Sequence, residues 1–175
     1  MLQIRKAEKQ DIPAVAAIFS AIHSAEEKGE LTIGWVREIY PTEKTAQAAL
    51  IRDDLFVMEK EGAIVASAII NRLQVPDYAK GQWLYAAQED EVMVLHTLCV
   101  HPKAMDKGCG KAFVAFYEAY ARENGCPYLR MDTNAVNATA RAMYRKLGDR
   151  EAGIVPCVFN GIEGVGLVLL EKHLS

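Results

Sequence analysis

Apolar and polar positions change period several times along the chain, and the changes predict the elements. Residues 2–6, "LQIRK", alternate and predict a short strand. In "DIPAVAAIFSAIHS" Ile12, Val15, Ile18, Phe19 and Ile22 recur at helical spacing, with Asp11 placed as N-cap and Pro13 in the first turn. "GELTIGWVREIYPTEKTAQAALIRDD" holds two glycines and a proline around two short helical patterns and reads as a helical excursion. "DLFVMEKEGAIVASAIINRL" has two apolar runs around "KEG", which predicts a β-hairpin. "QVPDYAKGQWLYAAQEDE" predicts a loop at the edge of a sheet, placed where it could line a substrate entrance. "EVMVLHTLCV" is the longest β-rich run and stops at His101-Pro102, because proline has no N–H for the ladder.

Beyond that strand, Phe113, Phe116, Tyr117, Tyr120 and Ala121 mark one face of a helix ended by Gly125. "PYLRMDT" predicts a fifth strand and "NATARAMYRKLG" another glycine-closed helix. "GIVPCVF" and "GVGLVLLEKHL" predict two last strands around an Asn160-Gly161 turn. About seven strands and four helices in this order predict an α+β fold. A chain of 175 residues builds one substantial core, so residues 1–175 are expected to form a single domain.

Composition narrows the function. With 51% hydrophobic and 25% charged residues the chain is an ordinary globular sequence. A net charge of −3 gives no basic field for nucleic acid, so any anion site must be local. The charged first ten residues do not form a signal peptide and no apolar run is long enough for a bilayer, so no membrane partner is expected and a cytoplasmic address is the default. Cys99, Cys109, Cys126 and Cys157 are scattered without a C-x-x-C pair and are expected as free thiols. Cys99 and His101 supply two ligands at most, so no metal site is expected.

The candidate chemistry centres on "KGCGKA", between the longest strand and a helix. A glycine turn there exposes the first helical N–H groups at the positive end of the helix dipole, and Lys107 and Lys111 add charge, so the turn suits pyrophosphate. A Walker A loop is disfavoured: Met105 stands where its first glycine belongs and Ala112 where its hydroxyl belongs. "GCGKAF" fails the last position of a Rossmann fingerprint, and the surrounding hairpins argue against that architecture.

Residues 95–125, "LHTLCVHPKAMDKGCGKAFVAFYEAYARENG", resemble the strand, pyrophosphate loop and helix of the GNAT superfamily of N-acetyltransferases. The family loop, R/Q-x-x-G-x-G/A, corresponds to Met105-Asp106-Lys107-Gly108-Cys109-Gly110, with Met105 replacing the usual Arg or Gln. "NATARAMYRKLG" resembles the later family helix, N-x-x-A-x-x-x-Y-x-K-x-G-F, with Asn137, Ala140, Tyr144, Lys146 and Gly148 matching and Asp149 replacing the aromatic. Two ordered patterns agreeing on one ligand weigh far more than either alone.

The resemblance implies a mixed, largely antiparallel sheet with helices on both faces and a central splay between two parallel strands. It implies acetyl-CoA as cosubstrate, with pantetheine along Leu98, Cys99 and Val100, pyrophosphate over Gly108 to Lys111, and Asn137 on the pantetheine side. Tyr144 is then the general acid for the departing thiolate. His96 is the preferred base because imidazole titrates in the required range, and Glu91, placed earlier on the same strand, is the other candidate. His23 is expected as a polar wall near the substrate mouth, and His101 and His173 as surface residues. Trp35, Tyr40, Trp83 and Tyr85 either wall an amine pocket or pack their loops onto the sheet. The implied acceptor is a primary amine, small or amino-acid-like. A peptide N-terminus or lysine, and a non-catalytic acyl-CoA-binding sensor, remain as alternatives. Homodimerisation through the C-terminal strands is compatible with the pattern, but no sequence feature sets it.

Overall fold

The computed structural model describes all residues 1–175. In chain order the elements are β1 (Leu2–Lys6), α1 (Ile12–Glu27), α2 (Glu43–Ile51), β2 (Leu55–Lys60), β3 (Ala63–Asn71), β4 (Val92–Val100), α3 (Cys109–Glu123), β5 (Tyr128–Asn134), α4 (Ala138–Lys146), β6 (Arg150–Phe159) and β7 (Ile162–His173). The strands form a seven-stranded sheet in the order β1-β2-β3-β4-β5-β7-β6. β4 and β5 are parallel. β1–β2, β2–β3, β5–β7 and β6–β7 are antiparallel. This is the α+β fold that the element order predicts, with the mixed, largely antiparallel sheet that the family resemblance implies. No helix is long and apolar enough to cross a membrane.

Backbone proximity divides the chain into two compact units. The first comprises Met1–Leu31, Trp35–Ile70 and His96–Phe116, and the second Thr32–Gly34, Asn71–Leu95 and Tyr117–Ser175.

In the first unit the helical spacing of Val15, Ile18, Phe19 and Ile22 puts all four on the buried stripe of α1. Each such burial is worth about 1.5–3 kcal/mol over exposure, so a charge at Ile18 would be expected to unfold this layer. Asp11 precedes α1 but does not cap it through its side chain. Its carboxylate accepts instead from Arg5 at 2.8 and 3.1 Å and from the Glu8 backbone N–H at 2.8 Å. A charged guanidinium outcompetes a helical N–H for those oxygens.

The excursion after α1 contains one helix rather than the two its patterns predict. Around the Val36–Tyr40 bridge the chain is held by Arg37, whose guanidinium reaches back to Ser20, Ser24 and Glu27 of α1. Those side-chain bonds, with Pro41 next in sequence, replace the intrahelical ladder.

In the second unit Tyr78, Val92, Val94, Ala152, Val155, Val165, Leu167 and Leu169 form one buried cluster. The β6–β7 hairpin turns at Asn160 (φ 51°) and Gly161 (φ 81°), the paired left-handed conformation that an Asn-Gly turn adopts. Segment 72–91 meets the edge strand β6 and also reaches across the face of the sheet. The Gln82 N–H donates to the Ala152 carbonyl of β6 at 2.7 Å, and the Leu84 and Tyr85 N–H groups donate to the Glu171 carboxylate of β7 at 2.8 and 3.2 Å. Tyr78 fixes this segment as a buried anchor, because burying so large a ring outweighs the loop's polar composition.

Candidate active site

The residues singled out by sequence fall into two groups, one in each unit. In the first unit β4 delivers His96, Leu98, Cys99 and Val100, and the chain then turns through a 3-10 turn at Pro102–Ala104 into α3. The His101 imidazole caps that turn by accepting from the Lys103 N–H at 3.1 Å. Asp106 (φ 61°) and Gly108 (φ 83°) adopt left-handed backbone, which redirects the chain so that α3 begins at Cys109. A Cβ at Gly108 would meet nothing within 4 Å, so glycine is required there by its φ and not by crowding.

Asp106, Lys107, Gly108 and Lys111 are exposed, while Met105 and Gly110 are half-buried and Cys109 is buried. Neither lysine forms an ion pair. Within α3 the Ala112 N–H already bonds the Gly108 carbonyl at 3.0 Å, whereas the N–H groups preceding it lie in the first turn and have no intrahelical acceptor. The turn therefore offers backbone donors, the helix dipole and two uncommitted cations, a donor set that fits pyrophosphate. Cys99 is buried, and burial pushes its thiol well above the ordinary range, so Cys99 brings backbone groups and packing rather than thiolate chemistry.

Thr97 is a site feature that the β-rich run conceals. It has φ 51° in the middle of β4, a conformation costly for a β-branched residue. The strand's alternation is broken between His96 and Leu98, and the Thr97 hydroxyl is hydrogen-bonded to that of Tyr40. Tyr40 also packs edge-on against Trp35 at 6.3 Å. No sequence signal marks this bend, since Thr is an ordinary strand residue.

In the second unit the β4–β5 ladder runs through four pairs, from Val92–Tyr128 to Leu95–Met131, although β5 continues to Asn134. At the end of β5 the Asn134 side-chain oxygen accepts from the Val136 N–H at 3.1 Å, and Asn137 caps α4 by accepting from the Ala140 N–H at 3.1 Å. That cap occupies the Asn137 oxygen and leaves its amide NH2 as the group able to reach a ligand. A Cβ on Gly34 would collide with the Asn134 side chain, so only glycine fits beside this corner. Tyr144 is buried on α4, while Arg141 and Arg145 of the same helix pair with Glu151 of β6.

Glu91 belongs to a 3-10 turn, Glu89–Glu91, and not to β4, which begins at Val92. His23 is likewise not an open polar wall. It is buried in α1, with Nε2 2.9 Å from the Pro41 carbonyl oxygen. His173 is exposed and stacks on Tyr128 at 4.9 Å. Trp83 and Tyr85 pack their segment onto the sheet: Arg130 lies 4.2 Å over the Trp83 ring and donates to the Tyr85 carbonyl at 3.0 Å.

Two carboxyls in this unit have unusual surroundings. Asp132 accepts from the Tyr78 hydroxyl at 2.6 Å, and burial pushes its carboxyl up to about 6. Asp149 is buried with neither oxygen hydrogen-bonded. Burial first, with Glu118 adding to it and Lys172 opposing it, raises the Asp149 carboxyl to about 7.

The sequence profile of the Acetyltransferase (GNAT) family matches residues 17–149, well over half of the chain. The chain belongs to the GNAT family and is an acetyltransferase by that membership. A search of the curated proteins gives no match. The fold is shared with a GNAT-family acetyltransferase from Streptococcus agalactiae 2603 (20% identity, TM-score 0.81, 99% of this chain and 96% of that one). It is shared too with the ribosomal-protein-S18-alanine N-acetyltransferase from Escherichia coli (22%, 0.68, 100% and 95%) and with Ard1 from Thermoplasma volcanium (15%, 0.72, 99% and 98%).

Proposed function

We propose that this acetyltransferase moves the acetyl group of acetyl-CoA to a primary amine, that of a small or amino-acid-like acceptor, by direct attack. Residues 1–175 act as one catalytic domain, a reading supported by a family match that runs through both units. The observation that carries the proposal is Tyr144, a buried residue at the family's tyrosine position on a helix capped by Asn137.

Acetyl-CoA supplies the activated thioester. The exposed turn from Met105 to Lys111 holds the pyrophosphate through backbone N–H groups and the two lysines, which compensate for Met105. Leu98, Cys99 and Val100 pair their backbone with the pantetheine arm in the manner of an added strand. His96 takes a proton from the bound ammonium, with Glu91 as the alternative acceptor. As the new C–N bond forms and the C–S bond breaks, Tyr144 gives its proton to the departing sulfur, and the second proton leaving the nitrogen restores the Tyr144 hydroxyl as the amide forms.

Thiol release from acetyl-CoA, measured across small amines, amino acids and a peptide with an N-terminal alanine, tests the proposal. Release with small amines is expected. Release with the peptide alone would make the chain a peptide N-acetyltransferase. Thermal stabilisation by CoA with no release on any amine would make it a cofactor-binding module, the reading that Met105 favours.

A further inference from the structure

The Asp132 carboxylate has a place, a holder and an open side. It directly follows Met131, the last β5 residue paired with β4. Strand alternation puts it on the same face as Arg130, the face covered by segment 72–91. Its holder is Tyr78, only 2% exposed, whose hydroxyl donates to Oδ2 at 2.6 Å and whose carbonyl accepts from Trp83 Nε1 at 2.7 Å. Tyr78 is thus fixed at both ends, and through it so is the carboxylate. The open side is Oδ1: no group of the chain donates to it, and it is not among the polar atoms sealed from solvent.

The missing partner is a cation. Five other shielded carboxylates have one: Asp11 has Arg5, Asp54 has Arg52, Glu151 has Arg141, Glu171 has Arg150 and Glu118 has Lys172. Arg130, two residues from Asp132, spends its guanidinium on the Gln74 side chain, the Tyr85 carbonyl and the Trp83 face. The groups felt around Asp132 are Asp77, Tyr78 and Cys157, with Lys80 acting on Cys157 and Arg130 on Tyr78. Asp149, also unpaired, has both oxygens sealed and cannot reach a ligand. A half-buried carboxylate held rigidly and lacking a counter-ion recognises a positively charged donor.

We propose that Asp132 binds the ammonium of the acceptor amine, with Tyr78 as the residue that positions the carboxylate. The proposal rests on the acetyl-transfer reading above and adds to it that the preferred acceptor is cationic before it reacts. The burial that raises the Asp132 carboxyl to about 6 leaves it anionic at neutral pH and makes the anchor fail below that value.

Asp132→Asn keeps the shape and an acceptor for the Tyr78 hydroxyl while removing the charge. With an alkylamine, cationic at neutral pH, KM is expected to rise roughly 10- to 100-fold, the worth of a hydrogen bond to a charged group. With an aromatic amine, neutral at the same pH, KM should stay within about threefold, and stabilisation by CoA should not change. Equal changes for both acceptors, no change, or a loss confined to kcat would overturn the proposal.

Tyr78→Phe removes the bond that favours the ionised carboxyl, so the pH below which alkylamine KM rises should move upward. An unmoved limb would overturn the positioning role, and this variant carries the test if Asp132→Asn does not fold. A readout without turnover separates this inference from the reading it rests on. Propylammonium should stabilise the CoA-bound wild type and not Asp132→Asn. Equal stabilisation of the two, or none of either, overturns the anchor. Wild-type stabilisation without thiol release on any amine sinks acetyl transfer alone.

Discussion

The turn from Met105 to Lys111 and the side chains of Asp132, Tyr144 and Asp149 in the second unit present two ways of building a site. The turn is exposed and made largely of backbone: left-handed residues at 106 and 108, the first N–H groups of α3 and two lysines without ion pairs. These side chains are wholly or partly buried, and the two carboxyls take their properties from neighbours far along the chain, Asp132 from Tyr78 and Asp149 from Glu118 and Lys172. The difference lies in what each tolerates. The turn depends on φ angles that one substitution can forbid, whereas these side chains depend on where protons sit, which an isosteric substitution can change without moving the fold.

The largest expected effect breaks the turn. Gly108→Val places a β-branched residue at φ 83°, a strained conformation even though no neighbour crowds it. Wild type should be stabilised thermally by CoA and acetyl-CoA and not by ATP or NAD, and the variant should lose that stabilisation while remaining folded. Equal stabilisation of wild type by ATP would sink the pyrophosphate assignment.

A smaller effect is expected at the proton acceptor. If His96 takes the amine proton, His96→Gln removes the acidic limb of the kcat profile and lowers kcat at neutral pH by roughly 10²-fold. A limb that stays in place passes the role to Glu91 or to the amine itself.

The smallest concerns stability alone. In the folded protein Asp149 holds its proton up to about pH 7, whereas the unfolded chain releases it near the usual carboxylate value of about 4. The proton therefore favours folding. This contribution is complete below about pH 4 and is lost as pH rises through about 7. Asp149→Asn should therefore stabilise the protein at pH 8, by on the order of 2–4 kcal/mol, and change little at pH 4. Denaturant melts at the two pH values measure this, and equal shifts would mean that Asp149 gains a partner not seen here.

The same contrast explains what the sequence makes legible. Gly108, Gly110 and the Asn137-to-Gly148 pattern are local requirements of turns and helix faces, so spacing reveals them, as it reveals α1, the β2–β3 hairpin and the Asn160-Gly161 turn. Thr97 is hidden because a β-branched residue in an apolar run argues for an unbroken strand, and its left-handed backbone contradicts its own propensity. Asp132 is hidden because "LRMDT" reads as strand, and the hydroxyl that holds its carboxylate comes from 54 residues away. Segment 72–91 has a loop's composition, yet the buried Tyr78 and the Glu171 carboxylate draw it across the strands. Arg37 likewise reaches back over α1 and suppresses a helix that local periodicity suggests.

The most direct test of the account is Tyr144→Phe on the best acceptor, with kcat and CoA affinity measured together across pH. The ring and its packing remain, and only the hydroxyl is lost. The account predicts kcat lower by roughly 10²- to 10⁴-fold with CoA affinity unchanged. Turnover at the wild-type rate at every pH would contradict it, because the thiolate would then leave without a proton from Tyr144.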